Sequence, residues 1–443
     1  MDGTLVGILG IVILMAVLFF LGTPVGFAMA IVGFVGYCYV INVHAGLAML
    51  SNDLWATFSK YGLTVIPLFI LMGQVAFHSG VNKKLYRTAH CWVGHIRGGI
   101  AMATVLACAA FSAICGSNAA TAATMTTVAL PEMKKYKYEP MLSTSTIAAG
   151  STLGVVIPPS VVLIVIGLNT GQPIAELFYG GITAGIILAL ALAVTVYLLC
   201  VKRPEWGPVG ESTTWGQRIK SLPGAIDMLV LFLLVMIGLY VGVFTPAEAG
   251  AVGSFFAVVL SMAQRRLSWK GLITSIMETI RISCMVIVIV AGAVIFGKFL
   301  TVTRIPFDIA EWVANLPIPG VAIIMVIFGI YIIGGAVMDA LALLLITIPI
   351  FFPVAKELGY DPIWFGVTIT VVTTLGAITP PVGATTYVVA GMAPEVPLQK
   401  IFKGVLFFLP AYIVTILLLT TIPRLITDPL GLAMDIFRWV IPA

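Results

Sequence analysis

The chain has 443 residues, 60% of them hydrophobic and only 9% charged, and its mean hydropathy is +1.13. An ordinary soluble chain is about one-quarter charged, so a soluble globule, a disordered chain, a coiled coil and a nucleic-acid binder are excluded. The net charge of +5 is informative only through where the 23 Lys and Arg fall.

A helical membrane span needs about 20 apolar residues. Met1-Asp2-Gly3-Thr4 carries no basic n-region, so the first apolar run reads as a span rather than a cleaved signal. Spans are expected at 4–21, 24–42, 61–79, 143–168 and 178–200, with a mixed, interfacial stretch at 43–60. A polar linker rich in Pro and Gly follows at 202–224. The series then restarts at 225–243, 246–262, 281–300, 364–390 and 402–422. Cysteine and histidine show no metal-ligand spacing.

The restart is an internal repeat. Thr23-Pro24 lies 222 residues before Thr245-Pro246, and the same offset relates Pro131 to Pro353, Thr152-Leu153-Gly154 to Thr374-Leu375-Gly376, and Pro158-Pro159 to Pro380-Pro381. Residues 1–201 therefore read as a first repeat and 225–443 as a second. Each holds a segment unsuited to one crossing, 98–131 and 320–353. Either would be about 51 Å long as a straight helix, against a hydrocarbon core of about 30 Å. Each is interrupted midway, by Cys115-Gly116-Ser117-Asn118 and by Gly334-Gly335 through Asp339. Both are expected to be re-entrant hairpins, with five spans per repeat. An odd number inverts the second repeat relative to the first. Lys60, Lys298, Arg304, Lys356, Arg424 and Arg438 then face one side and the other 17 of the 23 basic residues face the opposite side. The positive-inside rule places the larger set and the linker in the cytoplasm and both termini outside. The fold class expected is an all-α polytopic membrane protein of two inverted repeats.

Inverted repeats with interrupted helices at mid-depth are the architecture of secondary transporters. Spans 143–168 and 364–390 each contain a Pro-Pro. Two prolines remove two N–H donors and push the preceding residue out of the helical region, so upstream carbonyls lose their partners. A small hard cation suits those oxygens, and the helix N-terminus beyond the break suits an anion. The first expected cation site is Gly116, Ser117, Asn118, Gly154, Val156 and Ile157; the second is Gly335, Met338, Asp339, Gly376, Ala377 and Thr379. Ser117, Asn118, Thr121, Pro159, Ser160, Pro381, Gly383 and Thr385 are the expected substrate contacts. A Pro-Pro also suits a plain kink; two at matched positions, each after a polar-tipped hairpin, favour a paired binding site. Asp339, a carboxylate placed deep in the membrane, is a functional candidate, and it equally suits the N-cap of a returning helix. Glu248 reads as a structural hydrogen bonder, and Lys298 and Arg304 as snorkelling side chains near a span end. Gly181 and Gly185 read as a packing pair. The stretches 43–60 and 301–319 carry Asp53, Lys60, Arg304, Asp308 and Glu311, mixed charges suited to a transient docking face.

Gly94-His95-Ile96-Arg97-Gly98-Gly99, Gly116-Ser117-Asn118-Ala119-Ala120-Thr121, Ile157-Pro158-Pro159-Ser160, Thr245-Pro246-Ala247-Glu248-Ala249 and Thr379-Pro380-Pro381-Val382-Gly383 together resemble the large membrane subunit of tripartite ATP-independent periplasmic (TRAP) transporters, over about residues 20–415. The resemblance implies no enzyme. It implies an importer of a small organic acid in a bacterial or archaeal inner membrane, with an elevator fold like that of the ion-transporter superfamily. Sodium ions are the implied coupling ions, with no other cofactor. The implied partners are a small four-helix membrane subunit, which braces the scaffold, and a periplasmic solute-binding protein that delivers the substrate. A self-sufficient sodium/carboxylate symporter or exchanger is the alternative. A channel fits less well, because its pore would need polar residues recurring along a helix face.

Overall fold

The computed structural model describes residues 3–210, 213–315, 317–429 and 431. Met1, Asp2, positions 211 and 212 of the linker, position 316 of the expected docking face, and Arg438 of the outer charge set lie outside the described residues. The described residues form helices and loops, with no strand among them.

The first half opens with α1 (Gly3–Leu21), α2 (Val25–Val40) and α3 (Val43–Phe58). A 3₁₀ turn at Tyr61–Thr64 leads into α4 (Val65–His78) and α5 (Val81–Val93). A hairpin follows, α6 (Gly99–Cys115) and α7 (Asn118–Lys135). Then comes a span broken into α8 (Pro140–Ser151), α9 (Leu153–Val156) and α10 (Val161–Thr170), and α11 (Ile174–Lys202) ends the half. The linker holds a 3₁₀ turn, Pro204–Trp206, and α12 (Trp215–Ser221). The second half runs through α13 (Pro223–Tyr240), α14 (Pro246–Ala263), α15 (Trp269–Val302) and α16 (Ile305–Ala314). Its hairpin is α17 (Gly320–Val337) and α18 (Ala340–Glu357), and its broken span is α19 (Pro362–Gly376) and α20 (Ala384–Met392). Last come α21 (Leu398–Val405), α22 (Leu409–Thr421) and α23 (Arg424–Thr427). Among the described residues, nine helices or helix runs are long and apolar enough to cross a membrane. The chain is thus a polytopic α-helical membrane protein.

Three expectations need correction. The span expected at 281–300 is the end of the 34-residue α15, which Ser268 starts early by accepting the Gly271 N–H at 3.1 Å. The span expected at 402–422 is the run Leu398–Thr421, which begins earlier and contains a 3₁₀ turn at Leu406–Phe408 between α21 and α22. Helix α5 was not expected at all. It is amphipathic, burying Val81, Leu85 and Tyr86 beneath an exposed Lys83, Lys84 and Arg87, and a search for long apolar runs passes over such a helix.

The linker is laced to the base of the first hairpin. Gly98 N donates to Gly207 O at 3.1 Å, Glu139 N to Trp206 O at 3.0 Å, and Gly210 N to Gly94 O at 3.1 Å. Tyr138 OH adds a bond to Pro208 O at 2.9 Å. The linker's path is therefore set by the loops at both ends of the hairpin.

Helices α1–α4 and α13–α15 pack as one group; the two hairpins, the two broken spans, α11 and α22 form another. The first group is built on close backbone contact. A Cβ at Gly292 of α15 would collide with the Gly26 carbonyl of α2, and one at Gly33 would lie 2.7 Å from the Phe296 Cα. Between helices in lipid, this kind of small-residue packing replaces a hydrophobic driving force. Gly292→Val is expected to force α2 and α15 apart at a cost of about 1–3 kcal/mol. The melting temperature of the detergent-solubilised chain should fall by several degrees, whereas Gly329→Val, where no atom lies within 4 Å, should leave it unchanged. An unchanged melting temperature for Gly292→Val would remove this contact from the stability of the group.

Candidate functional site

Each hairpin turns on a helix cap. In the first, Gly116 ends α6 at φ +64, a conformation that costs glycine least, and Ser117 caps α7 by accepting the Ala120 N–H at 3.4 Å. In the second, Met338 is extended and Asp339 caps α18, its Oδ2 accepting the Leu341 N–H at 3.0 Å. Asp339 is exposed. The capping role foreseen for Asp339 is thus present.

Both tips dock on the Pro-Pro breaks. A Cβ on Gly116 would lie 2.5 Å from Pro159 O, and one on Gly154 would lie 2.6 Å from Ser117 O. Asn118 Oδ1 accepts the Val155 N–H at 3.0 Å. In the second half, a Cβ on Gly335 would lie 2.6 Å from Thr373 O, and one on Gly376 would lie 2.8 Å from Ala336 N. Ala336 O accepts the N–H groups of Val382 and Gly383 at 3.0 and 2.9 Å. The expected cation-site residues are therefore brought together in two clusters, tip against break. The first break falls near the middle of the run Pro140–Thr170, which is 31 residues long. Its hairpin tip therefore sits at about half the depth of that run.

The prolines deprive four carbonyls of their helical donors, those of Gly154, Val155, Gly376 and Ala377. Three acquire substitutes. Ser160 Oγ donates to Val155 O at 2.6 Å, Thr379 N and Oγ1 donate to Gly376 O at 2.9 and 3.0 Å, and Thr385 N donates to Ala377 O at 3.1 Å. Gly154 O has no donor among the described residues. The sequence reading left all these oxygens open to a cation. The chain itself occupies one lone pair on Val155 O and Ala377 O and both on Gly376 O, and it leaves Gly154 O open. Val156 and Ile157 are buried beside Gly154; Pro158-Pro159 and Pro380-Pro381 are both cis.

The expected substrate contacts divide. Ser117 and Asn118 are half-buried at the first tip, and Thr121 is buried with its hydroxyl on Ser117 O at 2.8 Å. Pro159, Ser160 and Thr385 are also buried, whereas Pro381 is exposed. Gly383 holds φ +59 where its chain folds back on Thr379 O, 2.9 Å from a built Cβ. Glu248 forms a capping box with Thr245, its Oε2 accepting the Thr245 N–H at 2.8 Å, so the structural reading of Glu248 holds. Gly181 and Gly185 pack against the first break, at Leu163 and Ile157 respectively.

Two supporting residues were missed. Tyr412 of α22 lies 2.6 Å from the Thr152 hydroxyl and donates to Ala149 O at 3.1 Å, bracing the first broken span. Thr386 Oγ1 donates to Ile378 O at 3.0 Å, holding the second break. Tyr412 carries no local signal, because its partner is 260 residues away. The 222-residue offset does offer one for other positions: Thr152 and Thr374 each bond the carbonyl three residues before them.

Comparison with known proteins adds to this geometry. The family model described as the tripartite ATP-independent periplasmic transporter, DctM component, matches residues 12–425. A C4-dicarboxylate TRAP transporter large permease protein of Pseudomonas aeruginosa is 34% identical over 375 residues, covering 84% of this chain and 87% of its own. An isethionate TRAP transporter permease protein of Oleidesulfovibrio alaskensis is 31% identical over 390 residues, covering 87% of this chain and 60% of its own. A sialic acid TRAP transporter large permease protein of Vibrio cholerae is 28% identical over 426 residues, covering 96% and 97%. In fold, the chain is similar to the YdaH transporter of Alcanivorax borkumensis, with a TM-score of 0.62 at 14% identity over 86% of this chain and 90% of that one. With both family model and relatives spanning most of its length, the chain belongs to the large permease subunits of TRAP transporters, membrane transport proteins and not enzymes.

Proposed function

We propose that the chain is the permease of a sodium-coupled, binding-protein-dependent importer of a small organic acid, working by an elevator movement. One observation carries the reading: two capped hairpin tips, 222 residues apart, each docked on a Pro-Pro break. A tip and a break together offer carbonyl oxygens to a sodium ion and helix N-termini to a carboxylate. In this reading the two halves are inverted repeats, 1–201 and 225–443. The first sodium ion lies among Gly116, Ser117, Asn118, Gly154, Val156 and Ile157. The second lies among Gly335, Met338, Asp339, Gly376, Ala377 and Thr379. The hairpins, broken spans, α11 and α22 are the moving body; α1–α4 and α13–α15 are the scaffold. The relatives' names, for C4-dicarboxylates, isethionate and sialic acid, support an anionic organic substrate.

Asp339→Asn replaces an ionised ligand with a neutral one, and ligand charge tunes cation affinity. The apparent sodium affinity for uptake is expected to fall about tenfold. Glu248→Gln keeps the capping box, which glutamine also forms, and should leave sodium affinity unchanged. Equal sodium affinity in Asp339→Asn and the parent would take Asp339 out of the site.

The tips and breaks offer amides, hydroxyls and one acid, but no lysine or arginine to grip a carboxylate bidentately. Intrinsic affinity for substrate should therefore be low, with capture assigned to a periplasmic solute-binding protein and a small membrane subunit bracing the scaffold. In liposomes with an imposed sodium gradient, uptake is expected only when the small subunit and a loaded binding protein are both supplied. Full-rate accumulation by this chain alone would replace the three-part system with a self-sufficient symporter.

The charge division supports a linker in the cytoplasm of a cell whose inner membrane holds the chain, with both termini outside. Gly210 is a poor probe position, since a Cβ there would lie 2.7 Å from Gly94 O, whereas Val209 is 54% exposed. A cysteine at Val209, on a chain lacking its six native cysteines, is expected to resist impermeant maleimides in intact cells and to react after permeabilisation. Reaction in intact cells would invert the topology.

A further inference from the structure

Lys298 was read from the sequence as a snorkelling side chain. The structure puts it in a different setting. It lines an open cavity of about 400 Å³ bordered by the last turns of α15, the return arm α18 of the second hairpin, and the end of α10. Snorkelling directs an ammonium away from protein toward headgroups; this one sits where the two helix groups meet. Lys298 is exposed, with no carboxylate or hydrogen-bond acceptor in reach among the described residues.

The rest of the lining is mainly apolar, with a few groups that can accept a hydrogen bond. Pro349 and Pro353, one turn apart in α18, offer no N–H to the carbonyls of Leu345 and Pro349, and all three residues line the cavity. Asn169 spends its amide on Val165 O at 2.8 Å, which leaves its carbonyl oxygen to accept. A second cavity, of about 200 Å³, adjoins the first through Asn169 and Val294 and contains Asp53 and Lys60. Lys60 Nζ donates to Leu168 O at 2.9 Å, joining the two helix groups across the same crevice. The crevice therefore carries two lysines against one aspartate, and only Lys298 has its ammonium uncommitted.

We propose that this crevice is an outer subsite where a small organic anion is held before it reaches the hairpin tips. Lys298 takes the carboxylate, and the freed carbonyls and Asn169 take its hydroxyl or amide hydrogens. The substrate class rests on the function proposed above; the subsite itself rests on the cavity and its lone cation.

The test is the charge preference of thiol labelling at Thr301, which lines the same cavity. A T301C chain lacking the native cysteines, assembled with its small subunit, is treated from outside with an anionic sulfonate and a cationic trimethylammonium methanethiosulfonate. Normalised to a free thiol, the anionic reagent should react about tenfold faster, the effect of a nearby unit charge under partial screening. K298Q should abolish the preference and K298R should keep it. Millimolar succinate, isethionate or N-acetylneuraminate, at least one of the three, should slow labelling relative to chloride at equal ionic strength, and only when Lys298 is present. Equal rates for both reagents, a preference that survives K298Q, or no slowing by any of the three anions would each overturn the proposal. So would a crevice closed to both reagents, the result expected if lipid or the small subunit fills it. The labelling needs no sodium gradient and no turnover, so a failure of sodium coupling and a failure of the subsite are read separately.

Discussion

A backbone polar group inside a membrane has no water to fall back on, and this constraint shapes the centre of the molecule. Each Pro-Pro removes two donors from a span that must still satisfy its carbonyls. The chain answers with short-range substitutes, the hydroxyl of Ser160, the hydroxyl and amide of Thr379, and the amide of Thr385. It also brings a second element to the break. That approach is possible because glycine stands at each point of contact: Gly116 and Gly154 at the first, Gly335 and Gly376 at the second. A side chain at any of the four would lie within 3 Å of neighbouring backbone or collide with it. The same prolines that open the backbone therefore demand the glycines that close it.

The two clusters are also cross-linked through the fold. Helix α10, which leaves the first break, packs on α18, the return arm of the second hairpin; α20, which leaves the second break, packs on α7, the return arm of the first. At the far end of α20, Lys134 pairs with Glu395 at 2.7 Å and Lys400 with Glu139 at 2.7 Å. These pairs are partly exposed and contribute little energy individually. Their value is in register, since each joins the first half of the chain to the second. The two clusters consequently sit within one packed body.

How much of this was legible in advance follows from the range of each interaction. The hairpins, their tips and both breaks were readable because glycine, proline and the capping residues Ser117 and Asp339 act on their own backbone within a few positions. The 222-residue offset then paired them. Helix α5 escaped because its apolar stripe is only one face wide. The lacing of the linker escaped because it uses backbone groups of Gly94, Gly98 and Glu139, and a backbone amide leaves no mark in a sequence. Tyr412 escaped for another reason. Its role is set by what lies opposite it, the Thr152 hydroxyl, and no local pattern around Tyr412 encodes that partner.

The pairing by offset also conceals an inequality. Pro158, Pro159 and Ser160 are buried, whereas their counterparts Pro380, Pro381 and Val382 are exposed. The first tip carries an uncharged serine and asparagine, and the second carries Asp339, itself exposed. Physical cost accounts for the match between charge and exposure. An ionised carboxylate sealed in an apolar interior needs full compensation, while serine and asparagine can be enclosed once their hydrogen bonds are made, as Asn118 makes one to Val155 N. Repeated sequence thus yields one closed cluster and one open one. The half that carries the carboxylate is the half whose break lies open.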